Sequence, residues 1–140
     1  MTNLEYAYIA LGALVLLLAL VVFYVWRKGR PLAQADVFRA SRWTRGNHLF
    51  PTQVLITPGV VVQLSPQWIG KHEESIHIAH VASVRIDTNL LFSNVFIETS
   101  GGQSPVSCHG HYKSDAEQMK RLIERYQTEY FKAPGGAPRA

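Results

Sequence analysis

Hydrophobic and polar positions divide the chain into three unlike stretches. The first, Tyr6 to Trp26, is 21 residues long and contains no charged residue, Pro, Asn, Gln or His. At about 1.5 Å of rise per residue, a helix of this run covers roughly the 30 Å hydrocarbon core of a bilayer. It has no polar face, so the pattern predicts a transmembrane helix rather than the core helix of a small domain. From Asp36 the text becomes short β-branched or alternating runs separated by turn residues. It predicts strands at Val37–Trp43, Thr52–Thr57, Val60–Leu64, Glu74–Ile78, Val84–Thr88, Asn94–Thr99 and Ser104–Cys108. Gly46-Asn47, Pro58-Gly59, Ser65-Pro66 and Ser100-Gly101-Gly102-Gln103 supply the turns. The third stretch is helical. Ser114-Asp115-Ala116-Glu117 has the form of a capping box, and Met119, Leu122, Ile123 and Tyr126 follow at the spacing of one helix face.

These changes of pattern set the expected organisation. Residues 1–30 form a transmembrane anchor with a basic stop, 31–35 a linker, 36–132 one domain, and 133–140 a disordered Pro/Gly-rich tail. Gly29-Arg30-Pro31 is a helix break, because Gly is a poor helix former and Pro31 disfavours helical geometry at Arg30. Leu32 to Ala35 reach only about 10 Å, which holds the domain at the membrane surface.

Charge sharpens the first stretch. The net charge is +4, but the excess is local: Arg27, Lys28, Arg30, Arg39, Arg42 and Arg45 oppose the single acid Asp36. From Leu49 onward eight basic residues balance eight acidic ones. A balanced domain with a basic excess only beside the span argues against a nucleic-acid partner. A cleaved signal peptide needs a positive start and a small-residue cleavage site. Here Met-Thr-Asn-Leu-Glu carries an acid and bulky Phe23-Tyr24-Val25-Trp26 closes the run, so the helix is expected to stay as an anchor. Arg27, Lys28 and Arg30 place the following domain in the cytoplasm by the positive-inside rule, with the N-terminus outside the cell inner (plasma) membrane. Tyr6, Tyr8, Tyr24 and Trp26 suit the two headgroup layers. A single cysteine, Cys108, fits a reducing compartment.

Seven short strands followed by one amphipathic helix resemble a pleckstrin-homology-like (PH-like) domain of the bacterial, membrane-anchored kind. The likeness is carried by His72–Ile86, by the Asn94–Gln103 hairpin and by the closing helix Lys113–Tyr126. The resemblance implies an α+β fold, a seven-stranded antiparallel barrel or sandwich of two roughly orthogonal sheets capped by the C-terminal helix. Many members of that family hang from transmembrane helices, often two where this chain has one.

Residues able to carry chemistry are few. His109 and His111 sit at i and i+2 beside Cys108, the spacing that shares one strand face, with His77 as a third metal-ligand candidate. Zinc needs three or four ligands converging about 2.0–2.3 Å from one point, and no HExxH, CxxC or CxxCH pattern is present. Cys108 alternates with Val106 toward a core, and Glu73-Glu74 point to opposite strand faces. No phosphate-binding glycine loop or nucleophile elbow occurs. The expectation is a non-enzyme without cofactors.

Contact residues are better supported. Arg27, Lys28, Arg30, Arg39, Arg42, Arg45 and Lys71 can meet anionic headgroups, each contributing about 1 kcal/mol near the surface. Trp43, Trp68-Ile69 and Leu90-Leu91-Phe92 fall in turns, where they either plug the ends of the fold or contact lipid or protein. The leading expectation is a single-pass, membrane-anchored PH-like binding or assembly module, an accessory subunit among other integral membrane proteins. An anionic-lipid-sensing domain and a metal-binding protein using His77, His109 and His111 are the alternatives.

Overall fold

The computed structural model describes residues 2–28, 36–102 and 104–135. The chain divides into two compact units, 1–30 and 31–140. The first is one helix, α1 (Asn3–Lys28), of 26 residues. None of its side chains is buried, and it is long and apolar enough to cross a membrane. Glu5 in its first turn and Arg27 and Lys28 in its last complement the helix dipole. Lys28 Nζ donates to the Tyr24 hydroxyl at 3.2 Å, so its alkyl stem lies back along the apolar helix. The Gly29–Pro31 break, Arg30 and the 31–35 linker lie outside the described residues, as do residues 136–140 of the tail.

The second unit is built from β1 (Val37–Arg39), β2 (Gln53–Ile56), β3 (Val60–Pro66), β4 (Lys71–His77), β5 (Val81–Thr88), β6 (Phe92–Thr99), β7 (Val106–Tyr112) and α2 (Lys113–Lys132). A 3₁₀ turn at Ile78–His80 joins β4 to β5. The strands form two antiparallel sheets, β1-β2-β3-β4 and β5-β6-β7. They do not close into a barrel, which corrects one of the two expected forms. The physical reason lies at the two corners. At one, β1 is three residues long and hands over to the second sheet through a single backbone bond, Ser41 N–H to Gly110 O at 2.8 Å. At the other, the 3₁₀ turn breaks the extended geometry before any β4–β5 ladder begins.

The core is where β-branched positions of both sheets meet the apolar stripe of α2. Val54, Ile56, Val61, Ile76 and Ile78 face Val95, Ile97, Val106 and Cys108, and Ala116, Met119, Leu122, Ile123 and Tyr126 of α2 cover them. Each such side chain taken from water contributes about 1.5–3 kcal/mol. Several predicted boundaries shift: β4 and β5 begin earlier than expected, at Lys71 and Val81, and the last strand runs past Cys108 to Tyr112. The first strand stops at Arg39 instead of Trp43, because Ala40 and Ser41 turn toward β7. The capping box is not formed: α2 starts directly after β7 with Tyr112 at the N-cap position, no side chain caps it, and Ser114 lies exposed in the first turn.

The end of the domain where the chain enters at Asp36 is sealed by polar bonds. Tyr126 donates from its hydroxyl to Asp36 Oδ2 at 3.1 Å, and Gln127 Nε2 donates to Val81 O at 2.6 Å. Thr57 accepts from Val60 N–H at 3.1 Å and donates to Val60 O at 2.8 Å across the Pro58-Gly59 turn.

Candidate functional site

Antiparallel order decides which loops share an end. The β2–β3 and β6–β7 turns lie with Asp36, while the β1–β2 loop (40–52), the β3–β4 turn (67–70) and the β5–β6 turn (89–91) lie at the opposite end. One ring contact and one shared depression relate the three. Phe50 and Trp68 meet edge to face with ring centroids 5.2 Å apart. Trp43, Thr44 and Arg45 line one open depression of about 500 Å³ together with Leu90, Leu91 and His109.

The base of this loop end is tightly bonded. Gly110 interrupts β7 with a φ of +79°, a backbone state that side-chain-bearing residues rarely adopt. A Cβ there would also collide with the Thr44 side chain. The bulge lets the Gly110 carbonyl take the Ser41 N–H and its N–H reach Asn94 Oδ1 at 3.1 Å. Asn47, 4 % exposed, ties the loop down: its amide donates to His109 O at 3.2 Å and Thr44 Oγ1 at 2.9 Å, and its Oδ1 accepts from Thr52 N–H at 3.0 Å. Thr44 in turn donates from Oγ1 to Ser41 O at 2.7 Å.

From that base apolar tips project outward. Trp43 is 85 % exposed, Ile69 95 %, Leu90 fully and Leu91 74 %. The reading of these residues as plugs for the ends of the fold is therefore overturned for all four. Trp68 is half exposed and packs on Phe50. No acid occurs among residues 40–52, 67–70 and 89–91, whereas Arg42 and Arg45 do. Among the described residues neither arginine makes an ion pair.

The predicted contact residues separate into groups. Arg39 and Arg42 line a shallow hollow with Trp43 and Tyr112, on β1 and in the loop after it. Partial burial, and then the charge of Arg42, pull the Arg39 guanidinium below its ordinary value. Arg45 belongs to the neighbouring depression beside Leu90 and Leu91. Lys71 opens β4 and pairs with Glu73 at 2.8 Å, so its charge is locally answered. Arg27 and Lys28 belong to α1 in the other unit, and Arg30 lies outside the described residues.

The histidines do not share a face. The Gly110 bulge breaks the strand alternation, so His109 is exposed while His111 turns into the core with neither ring nitrogen hydrogen-bonded. Desolvation, and then the nearby His109, push the His111 imidazole down to about 4. His77 caps the 3₁₀ turn, its Nδ1 accepting from Ala79 N–H at 3.2 Å. Among the described residues no group of three His, Cys, Asp or Glu side chains stands close enough together to hold a metal ion. Burial, and then Glu74, raise the Cys108 thiol to about 12, so it is held protonated at neutral pH. A further hollow of about 360 Å³ lies at the Asp36 end, lined by Pro58, Tyr126, Glu129, Tyr130 and Pro134.

The tips were legible in part: Trp43, Trp68-Ile69 and Leu90-Leu91 stand out in sequence as apolar residues at turns. The base was not singled out. Its one signal is an isolated glycine inside a strand pattern, Gly110 between two histidines, which is the mark of a bulge. No protein-family model matches the chain, and no curated protein is similar to it.

Proposed function

We propose that this protein is a single-pass membrane-anchored binding module built on a PH-like domain. In this reading α1 spans a bacterial inner membrane with the N-terminus outside, the domain is cytoplasmic, and the protein serves as an accessory or assembly subunit that binds rather than turns over. The observation that carries it is the loop end. A chain with an unburied apolar helix also bears a domain whose exposed aromatic and aliphatic side chains are gathered on one rigidly based surface. Surfaces of that kind mark interaction sites. The 4+3 division of strands and the closing helix α2 support the PH-like assignment, and Arg27 and Lys28 at the end of α1 support the orientation. The metal-binding alternative loses its geometric premise, because His109 and His111 point to opposite sides of β7.

Purification in mild detergent tests the subunit role. The chain is expected to migrate well above its own 15.7 kDa with a stoichiometric companion, and recovery as a lone monomer would overturn that role. A reporter that is active only in the cytoplasm, fused after Ala140, is expected to be active. An inactive but stable fusion would reverse the orientation.

A further inference from the structure

We propose that the loop end is a bilayer-docking surface. Trp43, Ile69, Leu90 and Leu91 enter the boundary between headgroups and acyl chains, while Arg42 and Arg45 engage the phosphates of anionic lipids. This rests on the reading of the chain as membrane-anchored and names the partner of its binding surface.

Three observations favour a lipid occupant. Among the described residues of the domain, every exposed large hydrophobic except Phe131 lies at this one end: Trp43, Leu49, Trp68, Ile69, Leu90, Leu91 and Tyr112. The exposure of Trp43 is not loose folding, because its loop is tied down through Asn47 and Gly110. Second, the three loops carry two arginines and no acid, the complement of a negatively charged surface. Arginine behind tryptophan and leucine is the mixture that interfacial segments use, with apolar groups entering the acyl boundary and cations staying at the phosphates. Third, a bilayer is always at hand. A helix long and apolar enough to span one belongs to the same chain, so docking is intramolecular and needs little intrinsic affinity.

The test uses the full chain, with Cys108→Ala, reconstituted in phosphatidylcholine vesicles with or without phosphatidylglycerol. An environment-sensitive dye is placed at Asn89→Cys, beside the tips, and at Thr128→Cys on the exposed side of α2 as a control. With phosphatidylglycerol the dye at 89 is expected to shift to the blue and be quenched by brominated lipid, while the dye at 128 stays in water. Arg42→Gln and Arg45→Gln are each expected to lower the docked-to-undocked ratio about fivefold, and Leu90→Ser with Leu91→Ser to abolish the shift. Arg45, Leu90 and Leu91 are exposed and Arg42 is half-buried, and unchanged thermal unfolding of each variant checks the fold. A dye at 89 that stays in water, in a chain that resists carbonate extraction, overturns the docking proposal and leaves the anchor reading standing. A chain that carbonate removes overturns the anchor reading itself. Shielding at 89 in native membranes but not in phosphatidylglycerol vesicles assigns the surface to a protein partner and likewise overturns the proposal.

Discussion

The base and the tips of the loop end are made from the same few residues of sequence, yet they obey opposite rules. In the loop from Ser41 to Asn47, Ser41, Thr44 and Asn47 turn inward and spend their polar atoms on β7 and on one another. Trp43 and Arg45, interleaved with them, stand in solvent. Polar residues are inside and a tryptophan is outside, the reverse of what folding alone selects. The base is organised for stability, since each of its buried polar atoms would cost free energy if left unpaired. The tips contribute nothing visible to the fold. A region where stability and exposure are so cleanly divided is one where substitutions can separate folding from binding.

The largest effect is expected at Gly110. Gly110→Val places a β-branched residue at positive φ against Thr44, and should cost about 3–4 kcal/mol of domain stability. Chemical denaturation of the full chain in detergent measures it. If Thr44→Gly in the same chain recovers none of the loss, the collision is not the cause.

His111 sharpens the comparison by pH. Its imidazole titrates near 4 in the fold and near 6.5 when unfolded. The unfolded state therefore takes up the proton first, so this contribution is fully present above about pH 6.5 and is lost as pH falls toward 4. The total is about 3 kcal/mol. His111→Leu also removes two unbonded nitrogens from the core. The variant should match or exceed the parent at pH 7, and its advantage should widen between pH 6.5 and 4. A parallel pH dependence of unfolding in the two proteins would show that His111 is already paired or solvated.

Asn47→Ala leaves His109 O and Thr52 N–H without their partner, and is expected to cost about 2 kcal/mol. The smallest effect belongs to the tips. Trp43→Ser and Leu91→Ser should change thermal stability by no more than about 0.5 kcal/mol, as is usual for surface substitutions. A loss above about 1 kcal/mol from either would mean that the tip packs on the fold, and the contrast between base and tip would collapse.

Much of this was open to inspection in the pattern of residues, and some of it was closed for definite reasons. The uniform apolar run became one helix, long and apolar enough to cross a membrane, and the periodic stripe Met119, Leu122, Ile123 and Tyr126 became the buried face of another. The β2–β3 turn at Pro58-Gly59 and the inward Val84 and Ile86 followed from turn chemistry and alternation. Ser114 misled because a capping box is a local preference. The immediate passage from β7 into α2 moved the helix start back to Lys113. His109 and His111 misled because strict alternation holds only in an unbroken strand, and Gly110 breaks it. Arg39, Arg42 and Arg45, spaced by three, do not fit one strand face, and the turn after Arg39 divides them between two hollows on either side of Trp43.

The sequence by itself determined what depends on neighbours along the chain: an apolar run too uniform to have a solvent face, β-branched segments ended by Gly and Pro, one amphipathic helix, and a basic excess beside the span. Only the tertiary structure decided what depends on distant pairings. Antiparallel order brought loops around residues 43, 69 and 90 to one end, and bonds over some sixty residues of separation, such as Asn47 to His109, held the base while the tips stayed free. Local periodicity reports which side of an element is apolar, but whether another element arrives to cover it is settled by topology. Here none among the described residues arrives over Trp43, Ile69, Leu90 and Leu91.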